Sequence, residues 1–239
     1  MLGDISMDGV ESTLANSEFK ESVRVKVSQK SYRLIPSHFP PIQLFEGLLE
    51  ADELEAAYAL ESMTNDQLRE QVGDIYLVDA EDRMVGPGTS AIMAAFTHSG
   101  IASRFTAGTY GVYYAGLSLE GALAEAKHSR ARFLSDTNEE ELVLTMRCYV
   151  CDVNAELVDL SVDLDCHQEE WAIPQSKGKL LRDKNELGVL YRSLRREGGE
   201  NIAIFRPPAL IPPANQTKHF NFHWNGQEIT HAVEIKVAK

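Results

Sequence analysis

Three sets of residues in this sequence have the types and spacing for chemistry. Cys148-x-x-Cys151 with Cys166-His167 offers thiolates and an imidazole, the ligands zinc favours. In a strand, residues three apart point to opposite faces, so Cys148 and Cys151 converge only if the strand ends between them. His219 and His223 would be neighbours on a helix, but the aromatic alternation around them and the turn Asn225-Gly226 read as strand. There they stand about 13 Å apart. The third set is ordered along the chain: Arg33, Arg104-Phe105, Tyr114, Glu125 eleven residues later, and Ser193 in Gly188-Val-Leu-Tyr-Arg-Ser193. Taken singly, each has an ordinary explanation as a surface charge, a core aromatic or a solvating carboxylate.

The commonest catalytic signatures are missing. There is no Gly-x-Ser-x-Gly, no Walker loop and no Gly-x-Gly-x-x-Gly. With 23 basic and 36 acidic side chains the 239-residue chain carries a formal charge of −13, which argues against phosphate-backbone binding. Its 44% apolar and 25% charged content is that of an ordinary globular protein. No apolar run approaches the roughly 20 residues of a bilayer span, and the first residues lack a secretory pattern, so a cytoplasmic address is expected. Three cysteines cannot all pair within the chain, which suits a reducing compartment.

The elements that must position the third set are legible in part. Residues 1–30 read as a leader turning strand-like near Val23–Val27, and 31–239 as a single domain. Arg33 sits in a short strand from Ser31 that Pro36 stops. Two helical patterns in 47–72 include Thr64 as an N-cap, and Gly73 reads as their C-cap. They belong to a helical insertion at about 47–90. Within it, Asp74–Asp79 reads as a strand and Gly86–Ser90 as a turn opening the helix Ala91–Phe96.

Tyr110–Ala115 is a strand that Gly116 breaks, and Ser118 caps the following helix. Its apolar stripe is Leu119, Ala122, Leu123 and Ala126. At about 100° per residue, Glu125 lies roughly 110° from the stripe's centre, where it can face a cleft beside the core. Leu142–Val150 and Glu200–Phe205 read as strands, and His219–Val237 as a hairpin turning through Asn225-Gly226 as type I′. The fold class is α/β (α+β), a mixed central sheet with flanking helices.

The ordered set resembles the RES family, toxins of bacterial toxin–antitoxin modules named for an Arg, a Glu and a Ser. The matches are Arg33, Arg104 with Phe105, Tyr114, Glu125, Ser193 and Phe205, over residues 31–206. Two departures stand out: Thr106 occupies the place of the family's Asn, and roughly fifty residues of helical insertion lie between Arg33 and Arg104. The resemblance implies an ADP-ribosyltransferase-like fold that consumes NAD as substrate, with no cofactor or metal. It leaves three outcomes open: a glycohydrolase or phosphorylase, a mono-ADP-ribosyltransferase acting on a protein, and, more distantly, a non-catalytic nucleotide-binding module. It also implies an antitoxin partner with a helix-turn-helix part and leaves a homo-oligomer within the complex open, while the acidic charge and the lack of a long apolar run argue against direct nucleic-acid or membrane binding.

Cleavage of NAD passes through an oxocarbenium-like state whose leaving group is a cationic pyridinium, so no general acid is needed. The resemblance therefore assigns Arg33 and Arg104 to the pyrophosphate or adjoining ribose, where a guanidinium fork donates in parallel. Tyr114, supported by Phe105 or Tyr113, offers a flat face to nicotinamide or a hydroxyl to ribose, and Phe105 is itself counted among the NAD-binding residues. Glu125 faces the developing cation, with Arg104 and Tyr114 acting beside it. Ser193 positions phosphate or ribose and is not an attacking nucleophile. His98 and His128 are weaker candidates for the rim.

Overall fold

The computed structural model describes residues 23–37 and 73–236. The two helical patterns expected in 47–72 lie outside the described residues. The elements, in chain order, are β1 (Arg24–Pro36), α1 (Ser90–Thr97), β2 (Tyr113–Gly116), α2 (Leu119–Asp136), β3 (Leu142–Asp159), α3 (Ala172–Asp183), β4 (Gly188–Arg192), β5 (Glu200–Ile204), β6 (Leu210–Trp224) and β7 (Ile229–Ile235). The mixed α/β class read from the sequence is the one observed.

The seven strands lie in the order β1-β2-β5-β4-β3-β6-β7, and β1 also pairs along its length with β3. Strands β1, β2, β5, β4 and β3 therefore close on themselves, while β6 and β7 continue the sheet from the other part of β3. Only the β3–β4 pairing is parallel. β1 begins at Arg24, ahead of the boundary drawn at Ser31, because Val25 and Val27 alternate with polar residues and pair with Leu157 and Ala155 of β3.

Alternation along the central strands sorts side chains into separate apolar clusters. Tyr113 and Ala115 of β2, Leu190 of β4, and Ile202 and Ile204 of β5 pack with Ile92, Met93 and Phe96 of α1. The opposite face carries Tyr114, Val189, Tyr191 and Ala203, joined by Phe105, Tyr110, Phe205 and Leu181 of α3. A third cluster under α2 unites Leu134 with Met146, Phe220, Phe222 and Trp224. Two glycines permit the close packing on the site's side. A Cβ on Gly116 would meet the backbone N of Ala122 at 2.7 Å, and one on Gly178 would meet the Phe105 carbonyl O at 2.2 Å.

Two local readings are corrected. Asp74–Asp79 is not a strand: Ile75–Leu77 forms a 3₁₀ turn whose cap, Asp74, accepts from the Tyr76 N–H at 2.9 Å. The apolar pattern agrees with the turn, since Ile75 and Val78, three apart, are buried while Tyr76 is 55% exposed. The hairpin is present, but its loop spans four residues. Asn225 bonds back to Glu228 and accepts on Oδ1 from the N–H groups of Gln227 and Glu228, and only Gly226 takes a positive φ, of 89°. The carboxamide caps the loop, in place of the backbone that a type I′ turn requires. No helix among the described residues is long and apolar enough to cross a membrane.

Candidate functional site

Glu125 is held in place by the sheet. It sits in the second turn of α2, whose N-terminus is capped as expected, the Ser118 hydroxyl accepting from the Gly121 N–H at 3.1 Å. The carboxylate is partly buried, and its Oε1 receives two hydrogen bonds: from the Ser193 hydroxyl at 2.6 Å and from the Asn201 carboxamide at 2.9 Å. Among the described residues nothing donates to Oε2. One oxygen is thus fixed, and the other accepts no hydrogen bond from these residues.

Ser193 follows the last residue of β4. Its hydroxyl oxygen accepts from the N–H groups of Arg195 and Arg196, both at 3.1 Å, while its single proton goes to Glu125. A hydroxyl bonded on three sides in this way is fixed in orientation. Asn201, in β5, was not among the residues singled out in the sequence. Glu200-Asn-Ile-Ala-Ile-Phe205 nevertheless contains the signal, since Asn201 shares a strand face with Ala203 and Phe205. A polar side chain 2% exposed on an apolar face asks for a partner. Its Nδ2 finds Glu125, and its Oδ1 is buried without a hydrogen bond.

Arg104 occupies a tight turn closed by Ser103 and Thr106, whose backbones bond to each other at 2.8 and 3.3 Å. Its Nη1 donates to the carbonyls of Cys166 (3.0 Å) and Gln168 (2.7 Å), and its remaining donors make no hydrogen bond among the described residues. Thr106, which replaces the family's Asn, is buried and locks the turn by donating to the Tyr110 carbonyl and accepting from the Gly108 N–H. Phe105 requires a correction as a ligand contact. Its ring is 0% exposed, packed edge-on to Tyr191 at 5.1 Å and to Phe205 at 6.5 Å, so it supports the site from beneath.

Tyr114 ties the two regions together. Its hydroxyl accepts from the Phe105 N–H at 2.9 Å and bonds the Ser103 hydroxyl at 2.9 Å. Burial pushes the phenol up to about 12 despite those bonds and the nearby Arg104 and Arg33 guanidiniums. Tyr191, opposite Asn201 in the β4–β5 ladder, is pushed well above its ordinary value by burial and then by the Glu125 carboxylate. Tyr113 turns to the other face, as the strand alternation requires, and lies fully in the core. Arg33 stacks over its ring at 5.0 Å, donates to the Tyr114 carbonyl at 3.2 Å and leaves its buried Nε without a partner.

His128 is exposed one turn beyond Glu125, and burial together with Arg195 holds its pKa down. Arg195 itself pairs with Glu169 at 2.7 Å. His98 lies elsewhere, at the end of α1, bonded to the Ala94 carbonyl at 2.8 Å. Cys148, Cys151 and Cys166 are buried free thiols, and β3 runs unbroken through the first two, sending Cys148 into the cluster under α2 and Cys151 into the one beneath α1. His223 stacks on His231 across the hairpin with ring centroids 4.3 Å apart.

The fold brings Arg104, Tyr114, Glu125 and Ser193 to one face of the central strands, around Tyr191. The RES domain model matches residues 81–225, more than half of the chain, spanning all four. This protein belongs to the RES-domain family. Arg33 lies ahead of the matched stretch. The RES chain is also 30% identical over 211 residues to the uncharacterized protein y4oC of Sinorhizobium fredii (strain NBRC 101917 / NGR234), covering 86% of this chain and 87% of that protein. Among solved structures it is similar to a chain of the M. tuberculosis MbcT–MbcA toxin–antitoxin complex, with 13% identity, a TM-score of 0.43, and coverage of 89% of this chain and 86% of that one.

Proposed function

We propose that this RES protein cleaves NAD between nicotinamide and ribose, as a glycohydrolase or phosphorylase, and serves as the toxin of a toxin–antitoxin pair. The observation that carries this reading is the Glu125 carboxylate: sheltered, held through Oε1 by Ser193 and Asn201, and with no donor to Oε2 among the described residues. A carboxylate so restrained needs little reorganisation when positive charge develops near it. In the proposed reaction the ribose C1′–nitrogen bond breaks and its electron pair leaves with neutral nicotinamide. Water or phosphate then adds at C1′ and gives its proton to solvent.

Arg104 supports the same reading: among the described residues only its Nη1 is engaged, by two carbonyls, and its fork geometry suits pyrophosphate. Arg33 would join it on the anion, and the Tyr114 ring would flank nicotinamide or ribose. An antitoxin that covers this cleft would provide the restraint a cell needs against loss of its own NAD. With a net charge of −13 the chain itself is repelled by nucleic acid, so operator binding would fall to the antitoxin.

Mass analysis of products after incubation of the purified chain with NAD, with and without phosphate and with cell lysate, tests the reaction and its acceptor together. Free ADP-ribose or its phosphate ester supports the proposal. A labelled protein band with no soluble ADP-ribose product would replace it by protein ADP-ribosylation, and intact NAD throughout would remove the catalytic reading.

A further inference from the structure

His167 was singled out in the sequence beside Cys166, and the reaction above gives it no part. It ends a single 3₁₀ turn, Leu164–His167, between β3 and α3. Its imidazole makes two hydrogen bonds: Nδ1 to the Asp163 carbonyl at 2.6 Å, and Nε2 to the Arg192 backbone N–H at 3.0 Å. A carbonyl only accepts and an amide N–H only donates. The ring therefore carries its proton on Nδ1 and presents a lone pair at Nε2.

The two backbone segments that this ring joins are those that build the site. On one side, the residues flanking His167 supply the carbonyls of Cys166 and Gln168 that hold Arg104. On the other, Arg192 directly precedes Ser193, whose hydroxyl bonds Glu125. The turn is secured from behind by the Lys177–Asp163 ion pair and by Cys166, which is 0% exposed. Within this framework the Arg192 N–H to Nε2 bond ties the arginine's cradle to the serine's strand.

We propose that His167 is a positioning residue that sets the placement of Arg104 relative to the Ser193–Glu125 pair. Its side chain bonds the backbone of Asp163 and Arg192 and so acts on Arg104 and Glu125 through the segments that hold them. Its effect on catalysis would come from geometry, since misplacement of about 1 Å can cost on the order of 100-fold in rate. That kinetic consequence rests on the NAD-cleaving reading, whereas the coupling of the two segments does not.

Two substitutions separate the bonds in the full-length chain. In His167→Asn the short carboxamide can still donate to Asp163 but does not reach Arg192. In His167→Gln the longer one can accept from Arg192. Amide hydrogen exchange across residues 192–196 and the kcat and KM for nicotinamide release from NAD are measured for both. The expected result for His167→Asn is exchange about tenfold faster in that segment and kcat/KM lower by about tenfold, with Tm little changed. His167→Gln should recover most of both. The opposite order, with Asn tolerated and Gln harmful, would show a role confined to the turn and overturn the proposal. So would native exchange in His167→Asn, a result readable even if the wild-type chain proves inactive on NAD, and so would faster exchange with unchanged kinetics.

Discussion

The two ends of the site are built differently. At the carboxylate end, Glu125 stands on a capped helix, and its partners are Ser193, just past one strand, and Asn201 within the next, with bonds of 2.6 and 2.9 Å to one oxygen. At the arginine end, Arg104 sits in a loop and, among the described residues, is held by two backbone carbonyls that engage a single guanidinium nitrogen. A group locked by neighbouring side chains suits a transition state, because its orientation is set before charge appears. A loop-borne fork engaged at one nitrogen suits binding of a ligand that completes it. The carboxylate end should therefore control turnover and the arginine end affinity.

The largest expected effect is that of Glu125→Gln, which removes charge while retaining shape. Turnover should fall on the order of 10²–10³-fold, with a smaller change in NAD affinity. An unaltered kcat, measured by nicotinamide release, would remove Glu125 from the mechanism. Next comes Asn201→Ala. Loss of a hydrogen bond to a charged group costs about 1.5–3 kcal/mol, or roughly 10- to 100-fold if it is realised in the transition state. Kinetics placing this loss in KM alone would erase the contrast between the two ends.

Arg104→Lys tests the other end. It keeps the charge and loses the fork, so binding titrations should show weaker NAD association with the smaller part of the change in kcat. Arg33→Lys should act in the same direction. Native affinity in both would refute the assignment of the arginines to the anion, and loss in Arg104→Lys alone would free Arg33 to be only a brace for Tyr113 and Tyr114.

A smaller effect is the dependence of stability on pH. Burial raises Tyr113 and Tyr114 to about 12, and Tyr191 well above its ordinary value. The unfolded chain's phenols lose protons first, near pH 10, so the folded state binds more protons above that pH. Stability is kept below about pH 10 and should fall as pH rises toward 12. A melting temperature independent of pH from about 9 to 11 would contradict this. Ser118→Ala should cost about 1 kcal/mol through loss of the α2 cap, read by denaturant unfolding.

The framework was legible where local chemistry and burial agree. Ser118 before Leu119, Ala122 and Leu123 announced α2, and the alternation from Leu142 announced β3. Arg104, Tyr114, Glu125 and Ser193 were singled out by their order in the RES resemblance, since each alone reads as an ordinary surface or core residue. Asn201 escaped because a single polar residue in a strand gains meaning only once its helical partner is known. Phe105 was misassigned because a motif gives proximity and not orientation, and its ring turns inward against Tyr191. Asp74–Asp79 misled because β-forming Ile75, Tyr76 and Val78 sit behind an aspartate whose carboxylate caps a turn. The Asn225-Gly226 pair gave the hairpin but not its loop length, which the bonding of the Asn225 side chain decides.

The most direct measurement is nicotinamide release from NAD by the purified chain, followed in parallel with NAD binding for wild type and Glu125→Gln, and repeated with chelator. The account predicts steady release by the wild type that chelator leaves unchanged, and near-abolished release by a Glu125→Gln protein that still binds NAD. Release by Glu125→Gln at the wild-type rate, or wild-type release lost with chelator and restored by zinc or magnesium, would contradict it.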